Sequence, residues 1–230
     1  MALIGRIPRE LGNLSFLVSL DLGSNNFHGN LPREMTCLHQ LKFLDLSFNN
    51  FGGEVSSWFG FLHQLQFLCL KNNSFTGSLP SSFLNISNLE MLNLAFNSLE
   101  GHIPVSLSNA SRLERLELSS NLLHGNIPKE FINLLNLNWL AIQYNKLTGS
   151  IPLSVFSISR IEVISFIGNS LSGKLPNGLC NGLPELKELY LSINKLRGHI
   201  PMSLSNCSQL QILGLSENEF DGHYIVKLEN

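Results

Sequence analysis

The feature that most constrains this chain is a 24-residue period that runs through almost its entire length. An asparagine recurs at this step, and a glycine follows each asparagine four residues later. A segment of the form L-x-x-L-x-L-x-x-N, as in residues 113–121, ends at each asparagine. The asparagines are Asn25, Asn49, Asn73, Asn97, Asn121, Asn145, Asn169, Asn194 and Asn218, and the one step of 25 separates the seventh from the eighth. The period indicates about nine copies of one structural unit.

A period of this length with this leucine pattern predicts a leucine-rich repeat solenoid, an α/β fold, as a single domain over residues 1–230. We expect a curved right-handed superhelix with a parallel β-sheet on its concave face and 3-10 turns, short helices or loops on its convex side. The leucines of each L-x-L should point inward and the residues between them outward. The asparagine amides should bond backbone groups of adjacent turns, and the glycines should adopt positive φ or allow close approach.

The repeat has a form that resembles one known group of proteins. Residues 92–104 read LNLAFNSLEGHIP, and Ile-Pro pairs end further repeats at 127–128, 151–152 and 200–201. This form is similar to the plant-specific leucine-rich repeat of receptor-like kinases and receptor-like proteins. Residues 175–186, together with 203–208, are most similar to the receptor kinases that sense microbial patterns. The resemblance implies a plasma-membrane receptor with an extracellular peptide or protein ligand and a possible co-receptor that itself carries leucine-rich repeats.

The chain departs from whole receptors of that kind. It shows no signal peptide, no membrane helix and neither cap, and Tyr224 and Ile225 replace the Ile-Pro expected after Gly222. The pattern therefore predicts about nine repeats with partial terminal repeats and both caps missing, as in an interior fragment or a truncated product. A phosphate-loop spacing at residues 168–174 arises from the repeat, since Leu175 stands where magnesium binding needs Ser or Thr. Kinase motifs are absent, so we expect no enzymatic activity from this chain, whether or not a parent protein carries a Ser/Thr kinase.

Charge and composition exclude several other functions. Only 14% of residues are charged and the net charge is -2, so no basic footprint predicts a nucleic-acid partner. No apolar run is long enough for a membrane helix, and we expect no direct membrane contact. The seven histidines lack metal-ligand spacing, and the sequence predicts no cofactor.

A binding site is therefore expected on the concave face, where solenoids of this type hold partners. Counted from the first leucine of L-x-x-L-x-L-x-x-N, the third, fifth, seventh and eighth residues face outward. Aromatic and charged residues gather in these columns, and exposed patches of this kind mark interaction sites. The candidate ligand-binding residues are Phe43, Phe67, Met91, Phe96, Arg115, Glu117, Trp139, Gln143, Tyr144 and Tyr190.

Within this set, one repeat is expected to be central. The small Ala141 between Trp139 and Tyr144 leaves room for a ligand side chain, and Gln143 is placed to bond a peptide backbone. Two plainer interpretations stay open. The rings could pack on one another and bind nothing, and the charges of the neighbouring pair 115 and 117 could neutralise each other.

Two of the four cysteines are candidates for a disulfide, and the other two are not. Cys207 occupies a slot that core leucines fill in other repeats, so it is either a core residue or the partner of Cys180 in a disulfide. Cys37 and Cys69 are expected to be exposed on opposite faces and unpaired.

Four N-x-[ST] sequons lie twelve residues before their repeat asparagine, on the convex side. We expect glycosylation there, although an in-phase set could also be the family consensus repeating itself. The four asparagines are Asn13, Asn85, Asn109 and Asn206.

Three functions follow from these observations. The first is a non-catalytic binding module of a plant receptor that recognises a peptide or microbial pattern in immune signalling. The second is a secreted repeat protein that inhibits microbial wall-degrading enzymes. The third is a truncated product with no role of its own.

Overall fold

The computed structural model describes residues 2–221 as a solenoid of short strands and 3-10 turns. Gly222, Tyr224 and Ile225, which the sequence singled out, lie outside the described residues. One strand from each coil enters a nine-stranded sheet in which all neighbours are parallel. These strands are Ser19–Asp21, Phe43–Asp45, Phe67–Cys69, Met91–Asn93, Arg115–Glu117, Trp139–Ala141, Val163–Ser165, Glu188–Tyr190 and Ile212–Gly214. Equivalent residues stand opposite each other, as Leu116 does between Leu92 and Leu140, so the predicted strand phase is confirmed.

A second row of strands follows the asparagine of each coil and forms two five-stranded sheets. The first contains Ile4–Gly5, Asn26–Gly29, Asn50–Glu54, Ser74–Ser78 and Ser98–Glu100. The second contains His124–Gly125, Lys146–Ser150, Ser170–Gly173, Lys195–Gly198 and Glu219–Phe220. Backbone bonds still cross the boundary, because the N–H groups of Leu122 and His124 donate to the carbonyls of Leu99 and Gly101.

The convex side of each coil carries one 3-10 turn. Most of these turns follow a proline in extended conformation, such as Pro104 at φ -69°, because the ring presets the backbone angle at which such a turn begins. The turns are Arg9–Asn13, Arg33–Cys37, Ser57–Phe61, Ser81–Asn85, Val105–Asn109, Lys129–Asn133, Leu153–Ser157, Leu179–Gly182 and Met202–Asn206. Over residues 2–221 no helix has the length and apolar character needed to cross a bilayer.

The core is a continuous column between the sheets and the turns. Leucines at equivalent positions stack from coil to coil with no exposed surface, as Leu92, Leu116 and Leu140 do. Burial of this kind stabilises each coil only through its neighbours, which is why a solenoid needs several repeats to fold.

The repeat asparagines form a ladder inside the solenoid, as the sequence predicted. The side-chain oxygen of Asn121 accepts the N–H of Leu99 in the preceding coil at 3.0 Å. Its amide nitrogen donates to the carbonyls of Leu94, Leu118 and Ser119 at 3.0 to 3.2 Å. The first bond satisfies a buried N–H, and the carbonyls of Leu94 and Leu118 also accept the amides of Asn97 and Asn145, so that successive asparagines are linked through shared carbonyls.

The repeat glycines meet both conditions expected of them. Gly53 has a φ of +78°, which side chains rarely adopt. A Cβ atom there would also lie 2.6 Å from the side-chain oxygen of Asn30 in the preceding coil. Only glycine satisfies both constraints at this position.

A disulfide joins Cys180 to Cys207, with their Cα atoms 5.0 Å apart, so the alternative left open by the sequence is resolved in favour of the bridge. Cys37 is exposed and unpaired, as expected. The expectation that Cys69 is exposed is wrong, because this small side chain lies in the trough of the sheet beside Phe67 and is 6% exposed. Burial raises the pKa of the Cys69 thiol.

Candidate functional site

The outward residues of the nine-stranded sheet, called the concave face below, divide into an apolar part and a polar part. In the apolar part, the rings of Phe43 and Phe67 stack 4.3 Å apart, and Met91 continues the row in the next strand. All three side chains are half-buried. The rings of the first two residues therefore pack on each other, which is one part of the plainer interpretation, and ligand binding by them stays a prediction.

The eighth position of each coil forms an alternating column of large and small residues. Phe48, Phe96, Tyr144 and Ile193 stand on every second coil, and each is 40–52% exposed. All four have φ between +53° and +58°, a left-handed conformation that is strained for bulky side chains. The Lys71 ammonium lies 5.5 Å from the ring centroids of both Phe48 and Phe96.

The column is filled by the large residues leaning over their small neighbours. A Cβ atom added to Gly168 would lie 2.6 Å from a ring carbon of Tyr144, so this ring covers the glycine of the next coil. Phe96 and Tyr144, two predicted site residues, therefore lie on the edge of the concave face.

At the centre of the concave face, Arg115, Glu117 and Trp139 form one cluster. The Arg115 guanidinium carbon lies 4.4 Å from the Trp139 ring centroid, and a guanidinium nitrogen lies 4.0 Å from a Glu117 oxygen. The indole N–H is shielded from solvent and has no partner in hydrogen-bonding geometry. Burial raises the pKa of Glu117, against the opposing effects of the Arg115 charge and the nearby indole. The expected neutralisation of Arg115 by Glu117 is therefore present.

The main opening of this face, called the slot below, lies on the other side of Trp139. It is a cavity of about 280 Å³. Trp139 and Tyr190, from coils two apart, form its walls, and the small or short side chains of Ala141, Val163 and Ser165 form its floor. We expected the space to lie between Trp139 and Tyr144. That position is wrong, because Tyr144 turns toward Gly168 and does not line the cavity.

Polar groups are arranged around the slot. The Ser165 hydroxyl donates to the side-chain oxygen of Gln143, and the amide NH₂ of Gln143 makes no bond to another described residue. The Tyr190 hydroxyl donates to a Glu188 oxygen at 3.0 Å. Burial, followed by this contact with Glu188, raises the pKa of Tyr190.

Val163, Ser165, Ile167 and Glu188 line the slot but were not among the predicted site residues. Val163, Ser165 and Ile167 share one coil, and its outward residues are smaller than Trp139 and Tyr190 of the two flanking coils. That local dip in side-chain size was visible in the sequence and could have located the opening.

The sequon asparagines occupy equivalent positions. Asn13, Asn85, Asn109 and Asn206 are each the last residue of a 3-10 turn, and each is exposed. Among residues 2–221 no group of three or more acidic, histidine or cysteine side chains is arranged to hold a metal ion.

Comparisons with known proteins agree with this architecture. A family model described as "Leucine Rich Repeat" matches residues 16–38, 40–62, 64–86, 88–110, 112–134 and 185–207. No curated protein gave a significant match.

Three solved structures illustrate the similarity. The plant peptide hormone receptor RGFR1 in complex with RGF2 is 36% identical with a TM-score of 0.93, over 95% of this chain and 35% of that one. The Arabidopsis receptor kinase HAESA, in complex with the peptide hormone IDA and the co-receptor SERK1, is 34% identical with a TM-score of 0.91, over 95% and 37%. A plant ice-binding protein is 31% identical with a TM-score of 0.86, over 96% and 71%. The chain thus spans about a third of the length of the two receptors.

Proposed function

The chain belongs to the leucine-rich repeat family, and we propose that it is the ligand-binding module of a plant cell-surface receptor. In this proposal the concave face holds an extended peptide or a small protein on the extracellular side of the plasma membrane. The receptors RGFR1 and HAESA, which resemble the chain over 95% of its length, are bound to peptide hormones in their solved structures. Recognition of a microbial pattern, immune signalling and a co-receptor with leucine-rich repeats are the finer parts of the proposal.

The observation that carries the proposal is the slot beside Trp139. A cavity with aromatic walls and a few polar groups is the usual form of a binding site, and Trp and Tyr are common anchors. In this site Trp139 and Tyr190 provide contact area, and the free NH₂ of Gln143 donates to a ligand carbonyl. Arg115 stacks on the indole from the side away from the slot and is itself paired with Glu117.

Ligand contact is proposed to continue along the rest of the face. Phe43, Phe67 and Met91 offer a half-buried apolar surface beside a second cavity of about 250 Å³. Phe96 and Tyr144 offer exposed rings on the edge, where the strained backbone presents them.

The ice-binding relative suggests a second function, which the concave face does not favour. Ice is a periodic solid, so a surface that recognises it needs the same groups at the same spacing in successive coils. The third column instead changes from Met91 to Arg115 to Trp139 over neighbouring strands. The alternative that remains is a secreted inhibitor of microbial wall-degrading enzymes.

The test is to select peptides from a displayed random library on the wild-type chain and to measure their affinity by calorimetry. We expect Trp139→Ala to weaken binding by about 2 kcal/mol or more. It should cost less than half the stability lost in Leu140→Ala, which we expect to be about 2–5 kcal/mol. The control is Met202→Ala, which removes a side chain 93% exposed on the convex side and should change neither quantity.

Selected peptides that bind Trp139→Ala as tightly as the wild type would overturn the proposed site. Specific binding of a microbial wall-degrading enzyme, with no peptide binding, would favour the inhibitor alternative.

Glycosylation of Asn13, Asn85, Asn109 and Asn206 is part of the same proposal. Their exposure at the ends of convex turns leaves the concave face free of glycans. Mass spectrometry of material secreted from plant cells should find glycans at these positions. Unmodified asparagines at all four would contradict the extracellular assignment.

A further inference from the structure

The walls of the slot set the shape of the group that it admits. Trp139 and Tyr190 belong to strands separated by one strand, and two strand spacings amount to about 9.6 Å. The two residues are also offset by two positions along the strands, about 6.8 Å, because Trp139 lies opposite Glu188 and Tyr190 opposite Ala141, so their backbones are about 12 Å apart. A planar group in van der Waals contact with a ring on each side needs about 7–8 Å between the rings. The separation of the two strands therefore leaves room for one flat group between the two aromatic side chains.

The charge of the slot is negative. Glu117 and Glu188 are its charged lining residues, and no lysine or arginine lines it. Arg115 offsets the charge of Glu117 from outside the cavity. Lys71 is also close enough to act on Glu117, and Lys187, next to Glu188 in the chain, is paired with Glu162 at 2.7 Å. The carboxylate of Glu188 has a hydrogen bond from Tyr190 and no cationic partner among the described residues.

The molecule already holds one guanidinium in this chemical setting. Arg115 stacks on Trp139 and pairs with Glu117, so an aromatic face and a carboxylate together bind it. The slot offers the same combination of an aromatic ring and a carboxylate in Tyr190 and Glu188, and Trp139 provides a second aromatic ring on the opposite side. An arginine suits this geometry better than a lysine, because its flat fork can stack and hydrogen-bond at once.

We infer that the slot receives the guanidinium of an arginine in the peptide ligand. The group stacks between Trp139 and Tyr190 and donates hydrogen bonds to Glu188. This inference rests on the proposed function, since it specifies one side chain of the peptide that the concave face binds.

The direct test uses blocked pentapeptides Gly-Gly-Xaa-Gly-Gly in which Xaa is arginine, lysine or citrulline. The indole N–H signal of Trp139 in nitrogen-15 NMR spectra reports binding, and the signal of the buried Trp58 is the internal reference. We expect the arginine peptide to bind about tenfold more tightly than the citrulline peptide, which keeps the shape and loses the charge. Lysine should fall between them.

Variants locate the effect. Glu188→Gln should lower the affinity of the arginine peptide about tenfold, because it removes a charge-assisted hydrogen bond. Glu114→Gln is the matched control, since Glu114 is exposed next to Arg115 but does not line the slot. Circular dichroism checks that each variant folds.

Equal binding of the arginine and citrulline peptides, or no loss in Glu188→Gln, would overturn the inference. If library-selected peptides depend on Trp139 but contain no basic residue, the arginine slot fails and the proposed function stands. If no peptide binds in a way that depends on Trp139, the proposed function fails, and the slot fails with it.

Discussion

The interior ladder and the concave face are built from the same coils but follow opposite rules. Asn121 and Asn145 make the same four kinds of backbone bond, each to equivalent atoms one coil apart. On the concave face, by contrast, the coils of Arg115, Trp139 and Glu188 present different chemistry at one position. A side chain that bonds the next coil has to be the same in every repeat, whereas a side chain that faces solvent is free to differ. Function should therefore be sought where the repeat is least regular.

The strongest test of this contrast is to remove one rung of the ladder. Asn121→Ala leaves the buried N–H of Leu99 without a partner and removes three further bonds to carbonyls that each keep one other donor. An unpaired buried donor costs about 1–3 kcal/mol and each lost bond about 0.5–1.5 kcal/mol, so we expect the free energy of unfolding to fall by about 3–5 kcal/mol. Urea denaturation measures it. The control is Asn88→Ala, which removes one exposed bond to the carbonyl of His63 and should cost about 1 kcal/mol or less. Equal losses would show that the ladder has no special role.

The second test concerns the coil with the extra residue. The step of 25 leaves the ladder intact, because Asn194 still accepts from Leu171 and donates to the carbonyl of Phe166. The irregularity is thus confined to the convex side, where Cys180 and Cys207 are joined. Replacing both cysteines by serine should cost about 2–4 kcal/mol of stability.

Thermal unfolding with and without reductant measures that loss. The exposed Cys37, replaced by serine, is the control and should leave the melting temperature unchanged. A double variant as stable as the wild type would mean that the convex bonds alone hold this coil.

The smallest effect is expected on the edge of the concave face. Tyr144 has a φ of +54°, and asparagine tolerates this conformation better than an aromatic residue. Tyr144→Asn should raise the free energy of unfolding by about 0.5–1 kcal/mol while weakening the binding of selected peptides. Ser120→Asn, at a φ of +54° in the preceding coil, should give a smaller gain in stability, because it relieves a less bulky residue, and should leave peptide binding unchanged. A destabilised Tyr144→Asn would show that packing of the ring over Gly168 outweighs the strain.

The sequence was sufficient for the features that depend on one repeat at a time. The inward direction of Leu140 and the bonding of Asn121 followed from the pattern alone, because every coil repeats them. The exposure of Cys69 was predicted wrongly because a small residue in the fifth column is covered by larger neighbours.

The slot could not be located in the same way. It is formed by side chains from several coils, so its position depends on how Trp139 and Tyr144 lean as well as on their columns. The sequence also left undecided whether Cys180 and Cys207 form a disulfide, because the extra residue changes the spacing between them relative to the regular repeat.

The alternating column has a consequence for how such a chain can lengthen or shorten during evolution. A large residue such as Tyr144 needs a small neighbour such as Gly168 to lie over. Loss of the single coil that contains Ser120 would leave the ladder and the core continuous, but it would bring Phe96 beside Tyr144 with no small residue between them. Gain or loss of two coils at once preserves the alternation. This edge of the surface is therefore preserved by changes of two repeats at a time, although the core and the ladder tolerate a change of one.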